Sequence, residues 1–226
     1  ASVPSLRVNV PAFFPTTNDD IEQIEFVLGP GAALYGPNSN AGILHIITKS
    51  PLNSPGTTLT LESGFRSGTP GSSPSADRLD SGAGVFRFGF RHATVITPKV
   101  GIKLSGEYLT GTDWRFADRG DSLSPGTSAG SKRVCQGPFG CRDFGLERWG
   151  GEIRLDVRPT VGTEWITSVG QTDAVNLLEP TAIGTAQARH WKSRHVQSRF
   201  RRGRLFVQGF LNASDAGETF LLRDGN

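Results

Sequence analysis

The sequence predicts a mainly β chain whose strands build the wall of an antiparallel transmembrane barrel, and three observations predict it. The first is a period of two. Trp149, Gly151, Ile153, Leu155 and Val157 alternate with Arg148, Glu152, Arg154, Asp156 and Arg158, so a strand there has one apolar and one charged face. The second is the spacing of connections. Tight turns at Pro98-Lys99, at Pro159-Thr160-Val161-Gly162 and at Arg201-Arg202-Gly203 alternate with long segments at 67–84, 112–147 and 173–188. Short turns at one end and long loops at the other are the habit of outer-membrane barrels. The third is composition: 29 Gly, 14 Pro and only 36% apolar residues suit a turn-rich β protein with one polar face. A half-buried soluble sheet also alternates, but the dense charge from Arg148 to Arg158 and the alternating connections favour the barrel.

In chain order, the first twenty residues are punctuated by Pro and contain the alternation Leu6-Arg7-Val8-Asn9-Val10, a short strand. Ile21 and Ile24 fall on one side of a short amphipathic helical segment, with Glu22, Gln23 and Glu25 on the other. Asp19 or Asp20 is placed to cap its first amides. Phe26-Val27-Leu28 is expected as a short buried strand, which Gly29-Pro30-Gly31 breaks because Pro fixes φ and Gly permits positive φ. Ala32 to Tyr35 and Gly36-Pro37-Asn38 form reversals, and Gly42 to Thr48 is an apolar, β-branched strand. From Thr57 onward about seven strands follow. They are carried by Leu59, Leu61 and Phe65; by Phe86, Phe88 and Phe90; by Ile102, Leu104 and Tyr108; by the Trp149–Val157 row; and by segments 163–172, 189–200 and 204–213.

The stretch from Ile21 to Pro51 resembles the C-terminal part of the plug domain of TonB-dependent outer-membrane receptors. The resemblance is carried by Ile21-Glu22-Gln23-Ile24-Glu25, Gly29-Pro30, Leu34-Tyr35-Gly36, Gly42 and Ile46-Ile47-Thr48-Lys49. It departs at Leu28, where such plugs often have Arg, and at His45, where they often have Asn. It implies that residues 1–50 are the later part of a plug, 51–56 a linker, and 57–226 the first strands of a plugged barrel of about 22 strands. Seven strands do not close such a barrel, and the chain has no signal peptide and no Met, so an internal piece of a longer receptor is expected.

Charge and motif exclude much else. Net charge is +3, too near balance to argue for nucleic acid. The most basic window, Arg189 to Arg204 with Trp191 and Phe200, has the cations and rings of a nucleic-acid strand, but a lumen-facing strand ending in a basic turn explains it better. No run of eighteen apolar residues is present, which excludes a membrane helix and leaves a barrel open. Gly29-Pro30-Gly31 lacks the Gly-Lys-Ser/Thr of a phosphate loop. The four His residues have no metal-ligand spacing, and no Gly-x-Ser-x-Gly elbow occurs. Glu22 and Glu25 are better placed for packing or solvation than for acid-base work. Neither a catalytic set nor a cofactor or metal site is expected. Cys135 and Cys141, in Cys-Gln-Gly-Pro-Phe-Gly-Cys, are candidates for a disulfide within the longest connection, with free thiols as the alternative.

The resemblance implies uptake of a scarce solute such as a siderophore complex or cobalamin. The driving partner is a TonB-type energy-transducing protein, and the location is the outer membrane of a Gram-negative-type bacterium. Ligand contacts would come from the turns at 29–40 and the long connections; Trp114, Arg115, Phe116, Arg119 and Phe139 are the candidates in the longest. The alternative is a truncated receptor relative that serves as a non-transporting binding or structural subunit.

Overall fold

The computed structural model describes residues 16–29, 42–66, 83–113, 142–181 and 184–221. After a single 3-10 turn, Asn18–Asp20, two strands form a separate ribbon, β1 (Ile21–Leu28) and β2 (Gly42–Thr48). Then comes one antiparallel sheet: β3 (Gly56–Arg66), β4 (Ala83–Thr97), β5 (Val100–Thr112), β6 (Gly145–Val157), β7 (Thr163–Thr181), β8 (Gly184–Arg202), β9 (Leu205–Asp215) and the two-residue β10 (Phe220–Leu221). Each long strand pairs with the next, and β10 joins the same edge of β8 as β9. The sheet is a meander and is not closed; β3 and β9 are its outer long strands.

The seven long strands lie where the period of two places them, because β-branched and aromatic residues at alternate positions suit a pleated, half-covered surface. Two of the tight turns are closed by glycines in the left-handed region, Gly162 (φ 76°) and Gly203 (φ 57°), a conformation most side chains resist.

Three expectations are corrected. Residues 21–25 are strand, not helix: Ile21 pairs with Thr48 and Ile24 with Ile46, so cross-strand pairing decides a window too short to be a stable helix. Asp19 and Asp20 therefore cap nothing and serve the sheet instead. The segment Phe26-Val27-Leu28 is strand but not buried, with Phe26 73% and Leu28 89% exposed. The expected long connection at 173–188 is strand too, since β7 and β8 run on in register to Thr181 and Gly184. Its small cluster of Ala174, Leu177 and Ala188, with Leu146 and Trp191 against it, supplies the packing, and the alternation of long and short connections fails there.

Register sorts the sheet into two faces. On one, Leu104, Ile153, Val169, Val196 and Leu211 form a single row across five strands, all exposed. Val100, Val157, Trp165, Phe200 and Val207 form another. The opposite face carries Arg87, Arg91, Lys103, Glu152, Arg154 and Asp156, and these charged residues are the buried ones. The sheet is thus polar where it is covered and apolar where it is bare, the reverse of a soluble half-sheet.

Candidate functional site

What covers the charged face is the chain that precedes the sheet. The 3-10 turn, held by the Asp20 amide on the Thr17 carbonyl (3.1 Å), and the Asp20 carbonyl accepting from the Lys49 amide (2.8 Å) aim the Asp20 carboxylate at β4 and β5. There it accepts from Arg91 Nε (2.9 Å) and Lys103 Nζ (2.5 Å). Asp20 and Lys103 are fully buried. Lys103 also donates to the Lys49 carbonyl (3.1 Å) and Arg91 to the Ser54 carbonyl (2.8 Å), so both cations grip both ends of the covering segment.

A second set lies on β6. Asp156, fully buried, accepts from Arg154 Nε and Nη2 (2.7 and 2.9 Å) and from Ser50 Oγ (2.7 Å). Arg154 Nη1 donates to the carbonyl and hydroxyl of Thr48 (3.0 and 2.9 Å). Arg158 reaches Asn53 (2.7 Å) and Glu164 (3.0 Å). Beside the first set, Thr60 donates to Asp19 (2.7 Å), and Glu107 accepts from both Arg87 (2.7 Å) and Arg148 (2.9 Å). The arrangement is bipartite. Two buried carboxylates, each with its own arginine, tie residues 18–20 and 48–54 to β4, β5 and β6, and Asp19 adds β3 through Thr60, because burial of a charge is tolerated only when it is paired and hydrogen-bonded.

Between β2 and strands β6–β8 this seam opens into a polar cleft of about 390 Å³, lined by Thr48, Ser50, Glu152, Arg154, His195 and Arg199 among others. His195, mostly buried, bonds Glu152 (3.2 Å). Its ring occupies the space a side chain at Gly170 would need, so the glycine makes room for the imidazole. Among the described residues no group of three or more His, Cys, Asp or Glu is arranged to hold a metal ion, and no helix is long and apolar enough to cross a membrane. Holding a covering segment against the charged face is what this arrangement does.

The structure treats the sequence-derived candidates unevenly. Ile21, Ile24 and Thr48 pair within the ribbon, Glu25 accepts from His45 (3.1 Å), Gly42 pairs with Leu28, and Glu22 lines the cleft. Gly29 follows β1 with φ 100°, as a chain-breaking glycine should. Pro30, Leu34, Tyr35 and Gly36 lie outside the described residues, as do Trp114, Arg115, Phe116, Arg119 and Phe139 and the cysteines Cys135 and Cys141. Of the seam residues, the sequence singled out Asp20 as a helix cap and Asp156 as part of a charged strand face, and gave Arg91 and Lys103 no role. The signal for the seam itself was an excess of charge on one face.

These features define a class: among the described residues, a mainly β chain with an apolar, exposed sheet face and a charged face covered by residues 18–20 and 48–54. A scan against protein-family models and a search of curated proteins both give no match to this chain.

Proposed function

We propose that the chain is the later plug and early barrel wall of a TonB-dependent outer-membrane receptor, which takes up a scarce solute such as a siderophore complex or cobalamin with energy delivered by a TonB-type protein. One observation carries this reading: the sheet's bare face is apolar, while its charged face is covered by residues 18–20 and 48–54 through the buried pairs of Asp20 and the hydrogen bonds of Arg154 and Asp156. Lipid on the outside and a plugged lumen on the inside account for both faces. The motif from Ile21 to Lys49 supports the same reading independently. In it, ligand contacts come from the 29–40 turns and the connections at 67–84 and 112–147, and the disulfide of Cys135 with Cys141 staples the latter.

The apolar face gives the first test. Ile153 is 52% exposed within its row, between Leu104 and Val169. In lipid, Ile153→Arg should cost about 2–4 kcal/mol; on a water-facing sheet the change would stay within about 0.5 kcal/mol. Reversible unfolding from phosphatidylcholine vesicles separates the two. Uptake gives the second. Cells carrying the intact gene should accumulate at least one of a panel of ferric siderophores and cobalamin, and lose that uptake when the TonB-type protein is deleted. Absence of any TonB-dependent uptake sinks the transporter.

A second reading is favoured by the open sheet. Among the described residues the edges at β3 and β9 are unpaired and cannot stay bare in lipid, so strands of a partner chain would satisfy them in a non-transporting assembly. Normal membrane insertion without solute uptake is the outcome that selects it.

A further inference from the structure

We propose that the β8–β9 turn is a binding site for the phosphate of an anionic glycerophospholipid at the rim of the apolar face; this rests on reading that face as lipid-facing. Arginines elsewhere in the sheet are largely neutralised: Arg87, Arg91, Arg148, Arg154, Arg158 and Arg189 each pair with a carboxylate. Arg201, Arg202 and Arg204 are exposed, and among the described residues none of them enters an ion pair. The one acid opposite them, Glu164, is the register partner of Arg201 and is already engaged by Arg158 at 3.0 Å.

Position adds to charge. The last complete apolar row at this end is Val100, Val157, Trp165, Phe200 and Val207. The next outward-facing row holds Thr163, Arg202 and Leu205, one pleat repeat, about 7 Å, further along. Trp165 is 49% exposed and donates Nε1 to Ser198 (2.8 Å), an amphipathic ring of the kind that settles at a membrane–water boundary. Gly203, at φ 57°, closes a two-residue turn between the paired Arg202 and Leu205, with Arg204 as its second residue. Arg199, Arg201 and Arg204 line a recess of about 410 Å³ with Glu164, Leu205 and Phe206. Guanidinium groups one row beyond the last apolar row match a phosphodiester attached to acyl chains in charge and geometry.

The experiment uses the full chain, purified from membranes in mild detergent and titrated with phosphatidylglycerol or phosphatidylcholine, with bound lipid counted by native mass spectrometry. Phosphatidylglycerol should bind in preference. The R202Q/R204Q variant should lose about 25-fold in affinity for it, near fivefold per arginine, while R194Q, at an exposed arginine that donates to Gln171 (2.9 Å), stays within about twofold of the parent. Equal binding of the two lipids, or equal loss in both variants, overturns the site. Displacement of the lipid by equimolar inorganic phosphate overturns the lipid as its occupant. A chain that stays in solution without detergent and takes up neither lipid overturns instead the lipid-facing reading beneath it.

Discussion

Replacing Asp20 by Asn should destabilise the docking of residues 18–20 and 48–54 on the sheet by about 3–5 kcal/mol, the cost of leaving buried cations without their counter-charge. Asn is nearly isosteric, so packing is kept and only charge is lost. In the parent, Asp20 is fully buried between Arg91 and Lys103. After the change, the Lys103 ammonium and the Arg91 guanidinium have one neutral amide oxygen in place of the carboxylate, besides the Lys49 carbonyl at 3.1 Å and the Ser54 carbonyl at 2.8 Å. Neutral oxygens do not replace a carboxylate in a dry site. Lys103→Met alone should cost less, because Asp20 retains Arg91. Adding it to Asp20→Asn should recover part of the loss, as the double-mutant cycle requires for groups in contact. The readouts are denaturant unfolding and the rate of proteolysis within residues 16–54. An Asp20→Asn chain within about 0.5 kcal/mol of the parent would show that the pair contributes nothing to docking.

The sheet was legible in the sequence and the seam was not, for reasons that differ in range. Strand periodicity is local: Leu59, Leu61 and Phe65, or Phe86, Phe88 and Phe90, announce their faces within a few residues, and Pro98, Gly162 and Gly203 mark the turns. The pairs that seal the charged face join residues 71, 83 and 106 apart. A row such as Arg154 and Asp156 looks the same whether water or another segment lies against it. Local pattern also misled where it was thin. Ile21 and Ile24 satisfy a helical spacing, yet Thr48 and Ile46 on β2 claim them for a ribbon. The stretch around Pro180 and Gly184 carries loop-forming residues, yet Ala174, Leu177 and Ala188 are small or apolar enough to pack a hairpin extension. Propensity yields to packing in both cases.

Asp156→Ala tests whether the two buried carboxylates form one latch or two. By itself it should cost about 3–5 kcal/mol, because Arg154 then has no anion at its Nε and Nη2 and keeps only Thr48. Ser50→Ala removes one hydrogen bond to the same carboxylate and should cost less, about 1.5–3 kcal/mol. That order identifies the charge, not the segment's hydroxyl, as the larger element. Both Asp20 and Asp156 act on the stretch between Thr17 and Ser54, one from within it and one from β6. Once either is lost and the segment lifts, Lys103, Arg91 and Arg154 become hydrated together, and the second substitution has little left to cost. The pair Asp20→Asn/Asp156→Ala should therefore fall short of the sum of the single effects by about 1–3 kcal/mol, the coupling seen for groups in one network. Strict additivity would instead mean two independent anchors, so that residues 16–20 and 48–54 could leave the sheet separately. A segment that must leave whole responds to a pull at one end by detaching all at once, and sub-additivity is the signature that distinguishes it.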